Sequence, residues 1–211
     1  MPSLYAFAVT VKYEPTVEFL RLYNDLPAQQ IGPGTVMIEL GDLYADEART
    51  VLLKFGVPAI AALGLAKVAS LDLAYVELPG LVEHTATIPI SVNVVPGDDA
   101  AGRMPHPKVR SEALFQDAQE VKRRAAEAFE RGDLNEGKRL LGQTKDHLIA
   151  ALDLVPEEAA GELRRELADV GRMDDMSVAM GAPYMSKMSQ EDYHLKSRKR
   201  GRERPDDQTE S

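Results

Sequence analysis

Apolar and polar positions alternate along residues 1–95. Tyr5, Phe7, Val9, Val11 and Tyr13 are separated by smaller or polar neighbours, which is the two-residue period of a half-buried strand. Val17 to Tyr23 forms a second run, closed by the turn-forming Asn24-Asp25-Leu26-Pro27. Gly32-Pro33-Gly34 leads into a third, with Val36, Ile38 and Leu40 on one face. Three more runs follow: Val51, Leu53, Phe55 and Val57; Leu71, Leu73 and Tyr75; Ile88, Ile90, Val92 and Val94. Short strands at fairly even spacing, with Gly, Pro, Asn and Asp between them, predict an Ig-like antiparallel β-sandwich over 1–95. Pro89 cannot donate to a ladder, so the last strand is expected at an edge or beside a bulge.

The period then changes. Residues 96–107 hold Pro96, Pro105 and Pro107 with Gly97 and Gly102 and no apolar repeat, so they read as a linker. Leu114, Ala118, Val121, Ala125 and Ala128 fall four, three, four and three apart, one stripe of an amphipathic helix. Gly132 suits the position after the helix end, and Asp133 with Glu136 resembles a capping box for a second helix carrying Leu134, Leu141, Leu148 and Val155. Pro156-Glu157-Glu158 predicts a third start, with Leu163, Leu167 and Val170 as its apolar face and Gly171 as its end. Residues 108–171 are therefore expected to be a helical hairpin plus a third helix. Residues 172–211 read as a methionine-rich segment and a disordered basic tail, the methionines filling irregular core gaps. The whole is an α+β chain, β first and then α. A tetratricopeptide reading of the hairpin fails because no second copy follows and Gly137 and Thr144 stand where that pattern has alanines.

Composition narrows the chemistry. The 211 residues include 25 Lys+Arg, 34 Asp+Glu and no Cys, for a formal charge of −9. Disulfides, thiol catalysis, Fe–S clusters and zinc-thiolate sites are excluded. The charge argues against a body that coats nucleic acid or anionic lipid. No two of His84, His106, His147 and His194 lie within five positions, and no GxSxG, GxGxxG or GxxxxGK[ST] occurs. The acidic groups Asp42/Asp46/Glu47, Asp98-Asp99 and Asp174-Asp175 lack calcium-loop spacing. Catalytic, cofactor and metal residues are accordingly expected to be none, and the chain is read as no enzyme. The longest uncharged apolar stretch, Phe55 to Ala66, is short of a membrane span, and the start lacks a secretory signal, so a cytoplasmic protein is expected. One charge run stands out: Lys196, Arg198, Lys199, Arg200, Arg202 and Arg204 sit within nine positions beside a single acid. It could grip nucleic acid or another anionic surface by counterion release.

Several segments carry a family resemblance. Leu22-Tyr23-Asn24-Asp25-Leu26-Pro27, Ile38-Glu39-Leu40-Gly41-Asp42-Leu43-Tyr44-Ala45-Asp46-Glu47-Ala48-Arg49, Ile88-Pro89-Ile90-Ser91-Val92-Asn93-Val94-Val95-Pro96-Gly97-Asp98 and Pro107-Lys108-Val109-Arg110-Ser111-Glu112 resemble the segment after the von Willebrand factor A (VWA) domain of bacterial VWA proteins. These are the proteins labelled calcium-activated chloride channel homologues. The resemblance runs from about Ser3 to about Val155. It implies an accessory region without the VWA domain itself, since the DxSxS metal motif of that domain is absent. It further implies a non-catalytic protein–protein interaction module whose partner is another protein, foremost one with a VWA domain. Nucleic acid is the alternative partner, through residues 196–204 alone.

Overall fold

The alternating runs form strands, and a computed structural model describes residues 4–44, 47–78, 80–97, 99, 106–197 and 200–202. Contacts divide the chain into two units, Met1–Arg103 with Lys199–Ser211, and Met104–Arg198.

The first unit contains β1 (Leu4–Tyr13), β2 (Glu18–Leu22), β3 (Ala28–Gly32), β4 (Thr35–Leu43), β5 (Glu47–Arg49), β6 (Leu53–Gly56), β7 (Gly64–Glu77), β8 (Val82–Val94) and β9 (Arg200–Arg202). Five of them make one sheet in the order β3-β4-β1-β7-β8, every neighbouring pair antiparallel. Register places Val9 between Ile38 and Leu73, and Val11 between Val36 and Leu71. Directly opposed residues share a face, so the alternation in each strand adds up to one continuous apolar surface. The β2–β6 pair lies on it, with Phe19, Leu22, Leu53 and Phe55 packed against Val9, Val11, Val36, Ile38 and Leu40. The rings of Tyr13, Phe19 and Phe55 pack together, centroids 5.7 to 6.2 Å apart. Buried Asn24 clips the pair shut: its Oδ1 accepts from Leu52 N at 2.7 Å, while Tyr23 N donates to Leu52 O. Gly34 turns β3 into β4 at φ +64°, where a Cβ would come within 2.9 Å of Tyr13 O; glycine alone fits there without strain.

This corrects the Ig-like sandwich. An Ig fold divides its strands between two sheets of comparable size, whereas here one five-stranded sheet dominates and only two short strands face it. Period-two alternation reports that a strand has one buried face and is silent on which strands share a sheet. Three strands also escaped the pattern. β3, sequence AQQIG, is largely exposed on the edge, and β5 and β9 are three residues each.

The second unit holds α1 (Pro107–Glu130), α2 (Leu134–Leu152), a 3-10 turn (Glu157–Ala159), α3 (Gly161–Ala179) and α4 (Ala182–Ser197). The signals around the first two helices operate as read, whereas Pro156-Glu157-Glu158 opens only the 3-10 turn and α3 starts at Gly161. His106 Nδ1 accepts from Lys108 N at the start of α1, Gly132 adopts φ +79° after its end, and Asp133 Oδ1 accepts from Glu136 N at 3.0 Å. Phe115, Phe129, Leu140, Leu141, Leu148, Leu163 and Val170 build the core. The three-helix expectation is corrected to four. Gly171 does not end α3, because Met173 and Met176 extend its apolar stripe by another turn. α4 occupies the stretch read as methionine-rich and then polar. Its buried face is Met185, Ser186, Ser189 and Tyr193, in which two serines replace the apolar residues that mark a helix. The basic run does not begin as a disordered tail either: Lys196 lies in α4, and Arg200–Arg202 form β9. Residues 203–211 lie outside the described set.

Candidate interaction surfaces

Three places carry specific chemistry. The first is the β8 side of the main sheet. Among the described residues β8 pairs only with β7, so it is an edge strand, the position its proline foretold. Leu71 lies opposite Ile88, Leu73 opposite Ala86 and Tyr75 opposite His84. These belong to the same face as Val9 and Val11; Leu71 and Leu73 pack at the margin of that core, and the cover gives out along β8. Val11 is fully buried, while Ile88 is 45% exposed. The Tyr75 ring stacks on His84 at 5.2 Å and meets Phe7 edge-on, and His84 Nε2 lies 3.0 Å from Glu77 Oε2. The other face is polar: Lys12 pairs with Asp72 at 2.7 Å and Thr87 Oγ1 donates to the same carboxylate. Those two hydrogen bonds hold the Asp72 carboxyl below its ordinary value. Pro89 sits inside the β7–β8 ladder opposite Ser70. Lacking an N–H, it is tolerated where that position points away from β7, so the free edge is one donor short.

The second place is a charged cluster in the helical unit. Lys122 on α1 pairs with Glu166 on α3 and Asp192 on α4, and Lys196 on α4 pairs with Glu166 at 2.6 Å, Asp169 at 2.7 Å and Asp192 at 2.9 Å. The Lys122 side chain is 0% exposed and that of Glu166 is 1%. Burial works to raise Asp192, but attraction and hydrogen bonds from Lys122 and Lys196 outweigh it and leave the carboxyl below its ordinary value. Burial likewise opposes the charge on Lys196, and its three carboxylate partners overcome that and push it above its ordinary value. Charges withdrawn this far from water persist because each is paired more than once. The sequence did carry a signal here: Lys122 and Glu166 stand at helical spacing on otherwise apolar stripes. Beside the cluster, a cleft of about 400 Å³ is lined by Met173, Met176, Met188 and Leu195 together with Asp169, Arg172, Glu191 and Asp192. Elsewhere in the unit, the buried Gln119 amide and Ser189 hydroxyl find no hydrogen-bond partner among the described residues.

The third place is the basic run. Lys196 is committed to the carboxylate cluster, and Arg200 and Arg202 enter β9. Arg198, Lys199 and Arg204 lie outside the described residues. β9 pairs antiparallel with β5, with Glu47 opposite Arg202, Ala48 opposite Gly201 and Arg49 opposite Arg200. The acidic loop at the end of β4 works as a local brace: Arg49 donates to Leu40 O, to Asp42 O at 2.9 Å and to the Glu47 carboxylate at 3.0 Å. Among the described residues no group of three or more His, Asp or Glu side chains is arranged to hold a metal ion, and no helix is long and apolar enough to cross a membrane.

No protein-family model matches the sequence, and no curated protein matches it. Among solved structures, the chain is similar to von Willebrand factor type A from Catenulispora acidiphila, at 13% identity and a TM-score of 0.51, over 77% of this chain and 39% of that one. The ArnB paralog VWA2 from Sulfolobus acidocaldarius aligns at 11% identity with a TM-score of 0.38, over 89% of this chain and 42% of that one. The chain thus spans less than half the length of either. The first likeness is one of fold. It overturns the expectation of a region set apart from a VWA-like fold, because the similarity to a protein described as VWA type A covers most of this chain. The segments that carry the resemblance are strands and turns, whose sequence follows local geometry without fixing which part of a larger protein they belong to.

Proposed function

We propose that this chain is a non-catalytic module that binds another protein through the β8 side of its main sheet. The observation that carries this reading is the sheet's apolar face, covered over β4, β1 and most of β7 and left open along β8, where Ala86 and Ile88 are exposed. Contiguous apolar surface of this kind marks sites of protein contact. The likeness in fold to a VWA type A structure supports the general class of interaction module, and the partner to test first is a protein that itself carries a VWA domain. Ile88 and Ile90 would anchor the contact, and a partner strand could add beside β8 on either side of Pro89. The variant Ile88→Glu/Ile90→Glu tests it. Pull-down of the partner by the full chain should be lost while the circular dichroism spectrum is retained; undiminished recovery by a folded variant would sink the reading.

A further inference from the structure

α4 joins the helical unit mainly through α1 and touches α3 only lightly. Met185, Ser186, Ser189 and Tyr193 supply its buried face. Beside that face runs a second stripe, Tyr184, Met188, Glu191 and Leu195, spaced four, three and four apart. On α3, Asp169, Met173 and Met176 form a matching line, and Met180 follows one turn on, its N–H donating to Met176 O at 2.9 Å. The cleft of about 400 Å³ lies between the two stripes, with Met173, Met176, Met188 and Leu195 as its apolar lining. Leu195 is 73% exposed, and Met180 and Tyr184 are exposed at the α3–α4 turn, so the seam is open to solvent. An open apolar seam between two helices is a shape that a third helix fills. Tyr184 to Leu195 covers roughly 16 Å of axis, about three turns of such a helix.

Charge selects among the helices that could lie there. Asp169, Glu191 and Asp192 line the cleft against Arg172 alone. Lys196 and Arg172 take up Asp169, and Lys196 also holds Asp192. Glu191 is exposed and makes no ion pair among the described residues, and Lys187, one turn back, borders the neighbouring hollow instead. An occupant therefore gains from a positive charge beside its apolar stripe. Residues 203–211, with four acids and one base, have the wrong sign to fill the groove from within the chain.

We propose that the α3–α4 groove docks an amphipathic helix of a partner protein. Its aliphatic residues at i, i+3, i+4 and i+7 lie over Met173, Met176, Met188 and Leu195, and a Lys or Arg flanking them pairs with Glu191. Unbranched thioethers reshape around different apolar anchors, so the methionines accept variety while the carboxylate sets the sign. This surface is separate from the β8 edge and stands whether or not that edge binds.

The test follows the anisotropy of a labelled helical peptide of Leu, Ala and Gln added to the full chain. Its leucines stand at i, i+3, i+4 and i+7, with a lysine on each side of the stripe; a twin carries glutamates in place of the lysines. The lysine peptide should bind roughly fivefold more tightly than the twin, and Glu191→Lys should reverse that order. Leu195→Ser should weaken both peptides. Both positions are exposed, so the variants keep the fold, which circular dichroism checks. Failure of both peptides to bind, equal affinity for the two, or binding that neither substitution alters would overturn the proposal. So would a dimer of the unmodified chain that Leu195→Ser dissociates, because it would assign the groove to a second copy.

Discussion

Gly137 lies on the face of α2 that meets Phe129 of α1. A Cβ there would stand 2.2 to 2.6 Å from three atoms of the Phe129 ring, and the ring is itself 1% exposed with nowhere to go. Two effects oppose each other in Gly137→Ala. Alanine favours the helix by about 1 kcal/mol, and forcing a methyl into a filled core opposes it by roughly 1–3 kcal/mol. The clash should win by up to about 2 kcal/mol, since the obstructing atoms belong to a buried ring rather than a flexible chain end. Urea unfolding should show a lower midpoint at unchanged slope. The glycine that broke the tetratricopeptide pattern is thus the residue that lets α1 and α2 approach.

Among elements, α4 depends most on long-range contacts. Its buried face is half serine, so propensity and hydrophobic spacing alone would not place it. The cluster of Lys122, Glu166, Asp169, Asp192 and Lys196 ties it to α1 and α3. Removing Lys122 leaves Lys196 alone to serve Glu166, Asp169 and Asp192, an uncompensated negative charge in a largely buried cluster. Lys122→Met should therefore lower stability by about 3–5 kcal/mol, whereas Lys122→Met/Glu166→Met should recover most of the loss. Chemical denaturation of both variants checks this, and a double variant as weak as the single one would show that packing, not charge, is what matters there.

At the scale of the molecule, charge sets the pH range in which the fold holds. Asp192 is depressed from its ordinary 3.8, so its contribution is present above that value and is lost as pH falls through the lower, folded one. Lys196 is raised from 10.5, so its contribution is complete below that value and is lost only as pH rises past it. Melting temperature of the helical transition should be level across neutral pH and fall at both extremes. Asp192→Asn should flatten the acid limb, which a melting series from pH 2 to pH 7 would reveal. The −9 of the whole chain conceals a local reversal, six bases and one acid within residues 196–204. The structure divides that run between a carboxylate cluster and a strand.

The sequence by itself determined the elements whose signals are local. Six runs of alternation became β1, β2, β4, β6, β7 and β8, and Pro89 marked an edge. Gly132 with Asp133 and Glu136 marked a helix boundary, because caps and turns are settled within a few residues. Pairing is a long-range matter, and only the tertiary structure decided it. Alternation cannot say that β1 sits between β4 and β7, so five strands in one sheet read equally well as halves of a sandwich. Nor could it show that Lys122 and Lys196, 74 positions apart in the sequence, share the same carboxylates. The same holds for a basic run that looked like a free tail and closes on β5, since three residues form a strand only when another already waits for them.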